Sequence, residues 1–281
     1  MGPTCSIDLA RYKRKRGLLR APDPIRKVRL KGEGYPLVLI QGLTANMDWW
    51  DPGLLSALSE RYRILAFDNR GAGRTVTPEA GDWTCETFAD DTVALMEATG
   101  IERANVLSVS MGGMITQELA LKYPEKVNKL ILGSTFCGAA HTVYASQEVL
   151  EKLTDTSGGP EDVLQRTTEL MFTQDSLKEQ PEVVEGFKIA WMRAPISKHN
   201  AMRQYMAASK IDTYNRLPEI NISTLVVTGK EDILIPPENS RIIAERIPGA
   251  KLIEYEGYGH SFISCMPEAF INDLLEFLGG S

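Results

Sequence analysis

The chain predicts an α/β fold: a mainly parallel twisted sheet flanked by helices, with a helical segment inserted late in the sequence. Three observations carry this. Short runs rich in Val, Ile and Leu alternate with longer helical patterns, as expected for strands buried on both faces of a parallel sheet. Between Cys137 and Leu217 the strand signals stop and helical stretches take over. The residues best suited to chemistry each follow a strand-like run, and open α/β sheets place their sites at the carboxyl ends of strands.

In chain order, 28–31 and 36–40 read as an opening hairpin around Gly32, Glu33 and Gly34, because glycine-rich punctuation between two strand-like runs is a turn signal. The runs 63–67, 104–109, 129–133, 224–228 and 251–255 read as buried strands, with helical patterns at 87–99, 111–122, 239–247 and 267–278. Inside the insertion, helices are expected over 160–172, 181–192 and 197–210. Phe187 with Trp191, and Met202 with Tyr205 and Met206, recur at the spacing that shares one helix face.

Three positions stand out for chemistry. Ser110 follows the apolar run 104–109 and precedes a helix-forming stretch, with Ser108 and Gly112 two residues to either side. A strand-to-helix turn this sharp brings those flanking positions nearly into contact, so only very small side chains fit. Serine at its free pKa is a poor nucleophile and needs a base, and the base needs a group to fix its tautomer. His260, in the loop Gly257, Tyr258, Gly259, His260, and Asp232, in the turn after the run 224–228, sit at the ends of later strands. Glu231 is the alternative acid. Of the three histidines in the chain, His141 and His199 are expected to do no chemistry.

The order Ser, Asp, His on an alternating α/β pattern resembles the α/β-hydrolase superfamily, over roughly residues 26–280. The run from Phe67 and Asp68 through Asn69, Arg70 and Gly71 to Thr75, the stretch Ala89 to Leu95, and Ser110 to Ala120 with Tyr123 and Pro124 are similar to the 3-oxoadipate enol-lactonase and small carboxylesterase branch. The resemblance implies the α/β-hydrolase fold with a helical cap inserted after the sixth strand. It divides the chain into an N-terminal extension (1–25), a core (26–136 and 217–281) and the cap (137–216). It also implies an oxyanion hole made by the backbone N–H groups of Leu43 and Met111. Where the family commonly reads His-Gly, this chain has Gln41-Gly42; backbone donors survive that change, and Gln41 can still shape the loop through hydrogen bonds. Substrate contacts are expected from Met171, Trp191, Met192, Tyr205 and Phe262. The activity implied is hydrolysis of a small to medium carboxylic ester or lactone through an acyl-enzyme. The same fold also serves C–C bond hydrolases, thioesterases, perhydrolases and non-enzymatic small-molecule receptors.

Composition bounds the rest. At 281 residues the chain can bury one large core. Its net charge of -6 and pI near 5.3 argue against a nucleic-acid partner. No apolar run is long enough to span a bilayer, and the first twenty residues lack the apolar segment of a signal peptide. Cysteines at 5, 85, 137 and 265 are too scattered for a disulfide scaffold or a metal cluster, so the expected compartment is cytoplasmic. The start Met1-Gly2-Pro3-Thr4-Cys5-Ser6 fits a loose N-myristoylation pattern with a basic run at 11–16, but proline after the glycine is a poor fit, and membrane anchoring is not expected. The oligomeric state, a homodimer included, is left open. The Gly71, Gly73 and Val76 run imitates a dinucleotide fingerprint, with Asp90 and Asp91 about twenty residues on. It lacks the third glycine and the following helix, so no cofactor is expected, and Arg70 and Arg74 are expected to fix this loop near the site.

Overall fold

The computed structural model describes residues 4–8, 25–77, 81–265 and 267–279. The first three residues of the N-myristoylation pattern, Met1 to Pro3, and the basic run at 11–16 lie outside them. Eight strands form one sheet: β1 (Thr4–Asp8), β2 (Ile25–Lys31), β3 (Tyr35–Ile40), β4 (Tyr62–Phe67), β5 (Ala104–Val109), β6 (Val127–Gly133), β7 (Ser223–Gly229) and β8 (Lys251–Tyr255). Their spatial order is β1-β2-β4-β3-β5-β6-β7-β8. The six strands from β4 to β8 pair in parallel, while β1 and β2 form an antiparallel edge. Thr4–Asp8 thus adds an edge strand within the stretch read as an extension.

The expected opening hairpin does not form. β2 and β3 do not pair with each other; β4 lies between them, antiparallel to β2 and parallel to β3. The glycines that read as a turn instead carry the chain across the entry to β4. A Cβ on Gly32 would stand 2.4 Å from the carbonyl oxygens of Ser59 and Tyr62, and one on Gly34 2.4 Å from that of Arg61. Both residues also have positive φ, so the signal reports a close backbone crossing.

Helices cover both faces. On one face α2 (Cys85–Ala98), α3 (Met111–Lys122) and α9 (Glu238–Arg246) bury Phe88, Leu95, Ile115, Leu119 and Ile243 against β3, β5 and β6. On the other, α1 (Pro52–Ser59) and α11 (Pro267–Gly279) bury Leu54, Leu58, Phe270 and Leu274 against Leu39, Leu107 and Ile131. Adjacent strand residues such as Leu37, Val38, Leu39 and Ile40 are all fully buried, the expected state for a parallel strand covered on both sides. Caps set the helix starts. Thr84 accepts from Thr87 N–H at 3.1 Å and Asp51 accepts from Leu54 N–H at 2.8 Å, with Pro52 at the first helical position.

Between β6 and β7 the structure holds five helices: α4 (Gln147–Thr154), α5 (Pro160–Met171), α6 (Gln174–Glu179), α7 (Pro181–Arg193) and α8 (Lys198–Ala208). Three of these match the expected stretches; α4 and α6 are short additions, and no residue of α4 is fully buried. The two ends of the insertion meet where Thr213 N–H donates to the Cys137 carbonyl at 2.7 Å, beside a bridge between Gly138 and Asp212. Among the described residues no helix is long and apolar enough to cross a membrane.

Candidate active site

The register brings the carboxyl ends of β3, β5, β7 and β8 to one edge of the sheet, and each candidate residue emerges there. Ser110 is the single residue between β5 and α3, with φ 58° and ψ -127°, a conformation that an L-residue holds only under constraint. Its N–H donates to the Gly133 carbonyl at 2.9 Å, and its own carbonyl accepts from Gly113 N–H and Thr135 Oγ1, each at 2.8 Å. A Cβ on Gly112 would lie 2.2 Å from the Ile40 carbonyl oxygen, which is why the position two after the serine is small. Ser108, two before it, is fully buried and donates its hydroxyl to the Ile131 carbonyl at 3.0 Å. A serine fits there by satisfying its polar atom on the neighbouring strand. Although Ser110 occupies the N-cap position of α3, its side chain makes no capping bond, leaving the hydroxyl for the cavity.

Asp232 and His260 meet as the sequence pairs them. His260 Nδ1 lies 2.8 Å from Asp232 Oδ2, with both side chains buried. The other carboxylate oxygen, Oδ1, accepts from Leu234 N–H at 3.0 Å and Ile235 N–H at 2.9 Å. The carboxylate is therefore fixed in rotation, with one oxygen left for imidazole. Glu231 is exposed and turned away from this pair.

Ser110 and His260 line one cavity of about 640 Å³ between the strand ends and the inserted helices. Leu43 and Met111 border it, and so do Met171, Trp191, Met192 and Tyr205. Its apolar walls continue through Met114, Leu170 and Ile196. Among the described residues, neither the Leu43 nor the Met111 N–H has a hydrogen-bond acceptor. Gln41 does shape this loop: its Oε1 accepts from Gly42 N–H at 3.4 Å. His141, stacked on Tyr214 at 3.5 Å between ring centroids, and His199, exposed on α8, stand outside the cavity.

Phe262 is a correction. It does not line the cavity; it is fully buried in the core on the α1 and α11 side, its ring 5.5 Å from that of Tyr255 and 5.8 Å from that of Phe270. The short helix α10 (Phe262–Cys265) begins two residues after His260 and turns this ring away from the site. Phe262→Ala should lower the unfolding free energy by roughly 3–5 kcal/mol and leave the KM of the folded protein unchanged. Denaturant titration with Michaelis kinetics checks this, and a raised KM without lost stability would return Phe262 to the pocket.

Polar residues brace the loops around the site, Arg70 and Arg74 in the role the sequence expects of them and Asn46, Asp48 and Gln204 with no sequence signal to mark them. Asp68 Oδ1 accepts from Met47 N–H and Oδ2 from Arg74 N–H, each at 2.7 Å. Burial pushes the Asp68 carboxyl above the usual carboxylate range, more strongly than these bonds pull it down. Asn69 donates to the Gln41 carbonyl at 2.9 Å. Asp48 sits between Arg29 and Arg74; burial raises its pKa, but the two guanidinium groups outweigh this and hold it below the usual range. Arg70 clasps Asp91 with two parallel bonds of 2.9 and 2.8 Å. The false nucleotide fingerprint is thus an ion-paired brace. Asn46 Nδ2, in the loop after β3, donates to the Ala190 and Ala194 carbonyls of the inserted segment at 3.4 and 3.2 Å, and Gln204, on α8, bonds the backbone at Thr44 and Arg70.

Among known proteins, relatives from Azorhizobium caulinodans and a Caulobacter species, each named as a candidate carbamate hydrolase RutD, are 28% and 29% identical. These matches cover 89% and 87% of this chain and 93% and 90% of theirs. Among solved structures, the enol-lactonase of Burkholderia xenovorans superposes with a TM-score of 0.80 at 25% identity, over 91% of this chain and 97% of its own. A hydrolase from Pseudomonas aeruginosa superposes with a TM-score of 0.82 at 24% identity, over 99% of both. The family model described as the alpha/beta hydrolase fold matches residues 35–264. The chain belongs to the α/β-hydrolase fold family.

Proposed function

We propose that this hydrolase cleaves a small to medium carboxylic ester or lactone by two-step acyl transfer, with Ser110 as nucleophile, His260 as general base and acid, and Asp232 as the orienting carboxylate. The observation that carries this reading is the buried 2.8 Å contact between His260 Nδ1 and Asp232, with His260 lining the same cavity as Ser110. Asp232 accepts the Nδ1 proton, so Nε2 is left as the lone-pair nitrogen able to take the serine proton. Ser110 Oγ attacks the carbonyl carbon, and the oxyanion draws the N–H groups of Leu43 and Met111. Collapse of the tetrahedral intermediate breaks the bond to the leaving alkoxide, which His260 protonates. Water then gives its proton to His260, attacks the acyl-enzyme and releases the acid. For a lactone the leaving alcohol stays tethered to the acyl group.

A cavity of about 640 Å³ with largely apolar walls falls within the roughly 300–1,000 Å³ of sites that enclose drug-sized ligands, which supports an acyl or alcohol group of appreciable apolar bulk. A second reading is a carbamate substrate, favoured by the names of the relatives. The same attack on a carbamate carbonyl would leave a carbamoyl-enzyme.

The test is a ladder of p-nitrophenyl esters from acetate to decanoate, with a γ-lactone, a p-nitrophenyl carbamate and a thioester beside it. Serine-dependent turnover that rises with chain length to a medium-chain optimum is the expected result. Faster turnover of the carbamate than of every ester would favour the second reading, and no turnover of any member would overturn both.

A further inference from the structure

The loop that would supply the first oxyanion donor is held in place by the inserted helices. Leu43 lies between residues whose N–H groups are occupied: Gly42 donates to the Gln41 side chain and Thr44 donates to Gln204 Oε1, the latter at 2.8 Å. Thr44 sits at φ 63°, a left-handed conformation disfavoured for a β-branched residue, so something must hold it there. Gln204, on α8, is fully buried, and its Nε2 donates to the Arg70 carbonyl at 2.8 Å. The orientation of this amide is unambiguous, because only one way round gives an acceptor to the Thr44 N–H and a donor to the Arg70 carbonyl. Arg70 is itself fixed by its two bonds to Asp91. The amide therefore connects a braced point of the core, through a cap helix, to the residue next to Leu43.

We infer that Gln204 is a positioning residue for the oxyanion hole: by holding Thr44 in its left-handed conformation it aims the Leu43 N–H into the cavity, making helix α8 part of the catalytic apparatus. This inference rests on the reading of Ser110 as nucleophile and goes beyond it. Without the amide, the Thr44 N–H loses its partner, the threonine relaxes toward negative φ, and the neighbouring peptide plane turns with it. Ground-state binding against the apolar walls is untouched by that rotation; stabilisation of the developing oxyanion is not.

The test follows phosphonylation of Ser110 by a fluorophosphonate, read by intact mass. This probe needs the nucleophile and the oxyanion hole but not the natural substrate. Gln204→Leu should lower the second-order labelling rate by about 10- to 100-fold, since loss of one oxyanion donor outright costs 10²–10³. With the best p-nitrophenyl ester it should lower kcat by a similar factor and leave KM within about twofold. Gln204→Glu supplies a second variant of the same shape. Its buried carboxyl, when protonated, can accept from Thr44 N–H and donate to the Arg70 carbonyl, and when ionised it sets a charge against that carbonyl. Its labelling rate relative to wild type at the same pH should therefore rise as pH falls. Equal labelling of wild type and Gln204→Leu, or a Gln204→Glu ratio that is flat with pH, would overturn the inference and leave the nucleophile reading intact. If wild type is not labelled at Ser110, the nucleophile reading falls and this inference falls with it.

Discussion

Ser110→Ala is expected to abolish ester turnover, with kcat/KM falling by about 10⁴-fold or more, as when a nucleophilic serine is removed from other triads, while the melting temperature stays close to that of wild type. The stability half of this expectation follows from the backbone. Ser110 is held by bonds through its own N–H and carbonyl to Gly133, Gly113 and Thr135, and its side chain caps nothing. Alanine keeps those bonds and carries the same conformational strain, so the elbow should survive intact. Steady-state hydrolysis alongside thermal melts followed by circular dichroism checks both halves. Undiminished turnover in a folded Ser110→Ala protein would remove the serine from the mechanism altogether.

The second large effect is expected at Asp232. In Asp232→Asn the amide oxygen should take the place of Oδ1, because the Leu234 and Ile235 N–H groups both require an acceptor there. The amide NH₂ is then presented to His260 Nδ1, which becomes an acceptor, and the imidazole proton moves to Nε2. A histidine protonated at Nε2 cannot take the proton of Ser110. kcat should fall by about 10⁴-fold, the size seen when a triad aspartate is replaced by its amide elsewhere, with KM little changed. The neighbouring Glu231→Gln should behave as wild type, since that side chain points to solvent. Single-turnover acylation rates for the two variants decide the matter. A loss below tenfold at Asp232 combined with a large one at Glu231 would transfer the role.

What could be read from the sequence was what short-range pattern controls. The elbow at Ser110 is a steric condition written within five residues, and β5, α3 and β8 (104–109, 111–122 and 251–255) fall where their patterns place them. Asp232 and His260 were legible because each follows a strand whose end the apolar run marks. What could not be read was contact across long separations. Thr44 and Gln204 are 160 residues apart, and a glutamine in a helix gives no sign that both ends of its amide are engaged. Gly32 and Gly34 misled for the opposite reason: local chemistry that suits a turn suits equally a chain slipping over another backbone. Phe262 was misplaced through its nearness to His260, because one helical turn decides which face of the sheet a ring joins. Helix α4 escaped because it is only eight residues long, too few for the half-buried Val149, Leu150 and Leu153 to set up a recognisable period.

The backbone of Ser110 has a consequence for how this chain can change over evolutionary time. Its φ of 58° with ψ of -127° belongs to territory that glycine enters freely and other residues occupy at roughly 1–3 kcal/mol. The most stable residue at position 110 is therefore one that cannot react. Folding and activity make opposing demands on a single Cα, and the serine persists only while turnover is selected; once that pressure lapses, drift at this position runs toward glycine and a sturdier, silent protein.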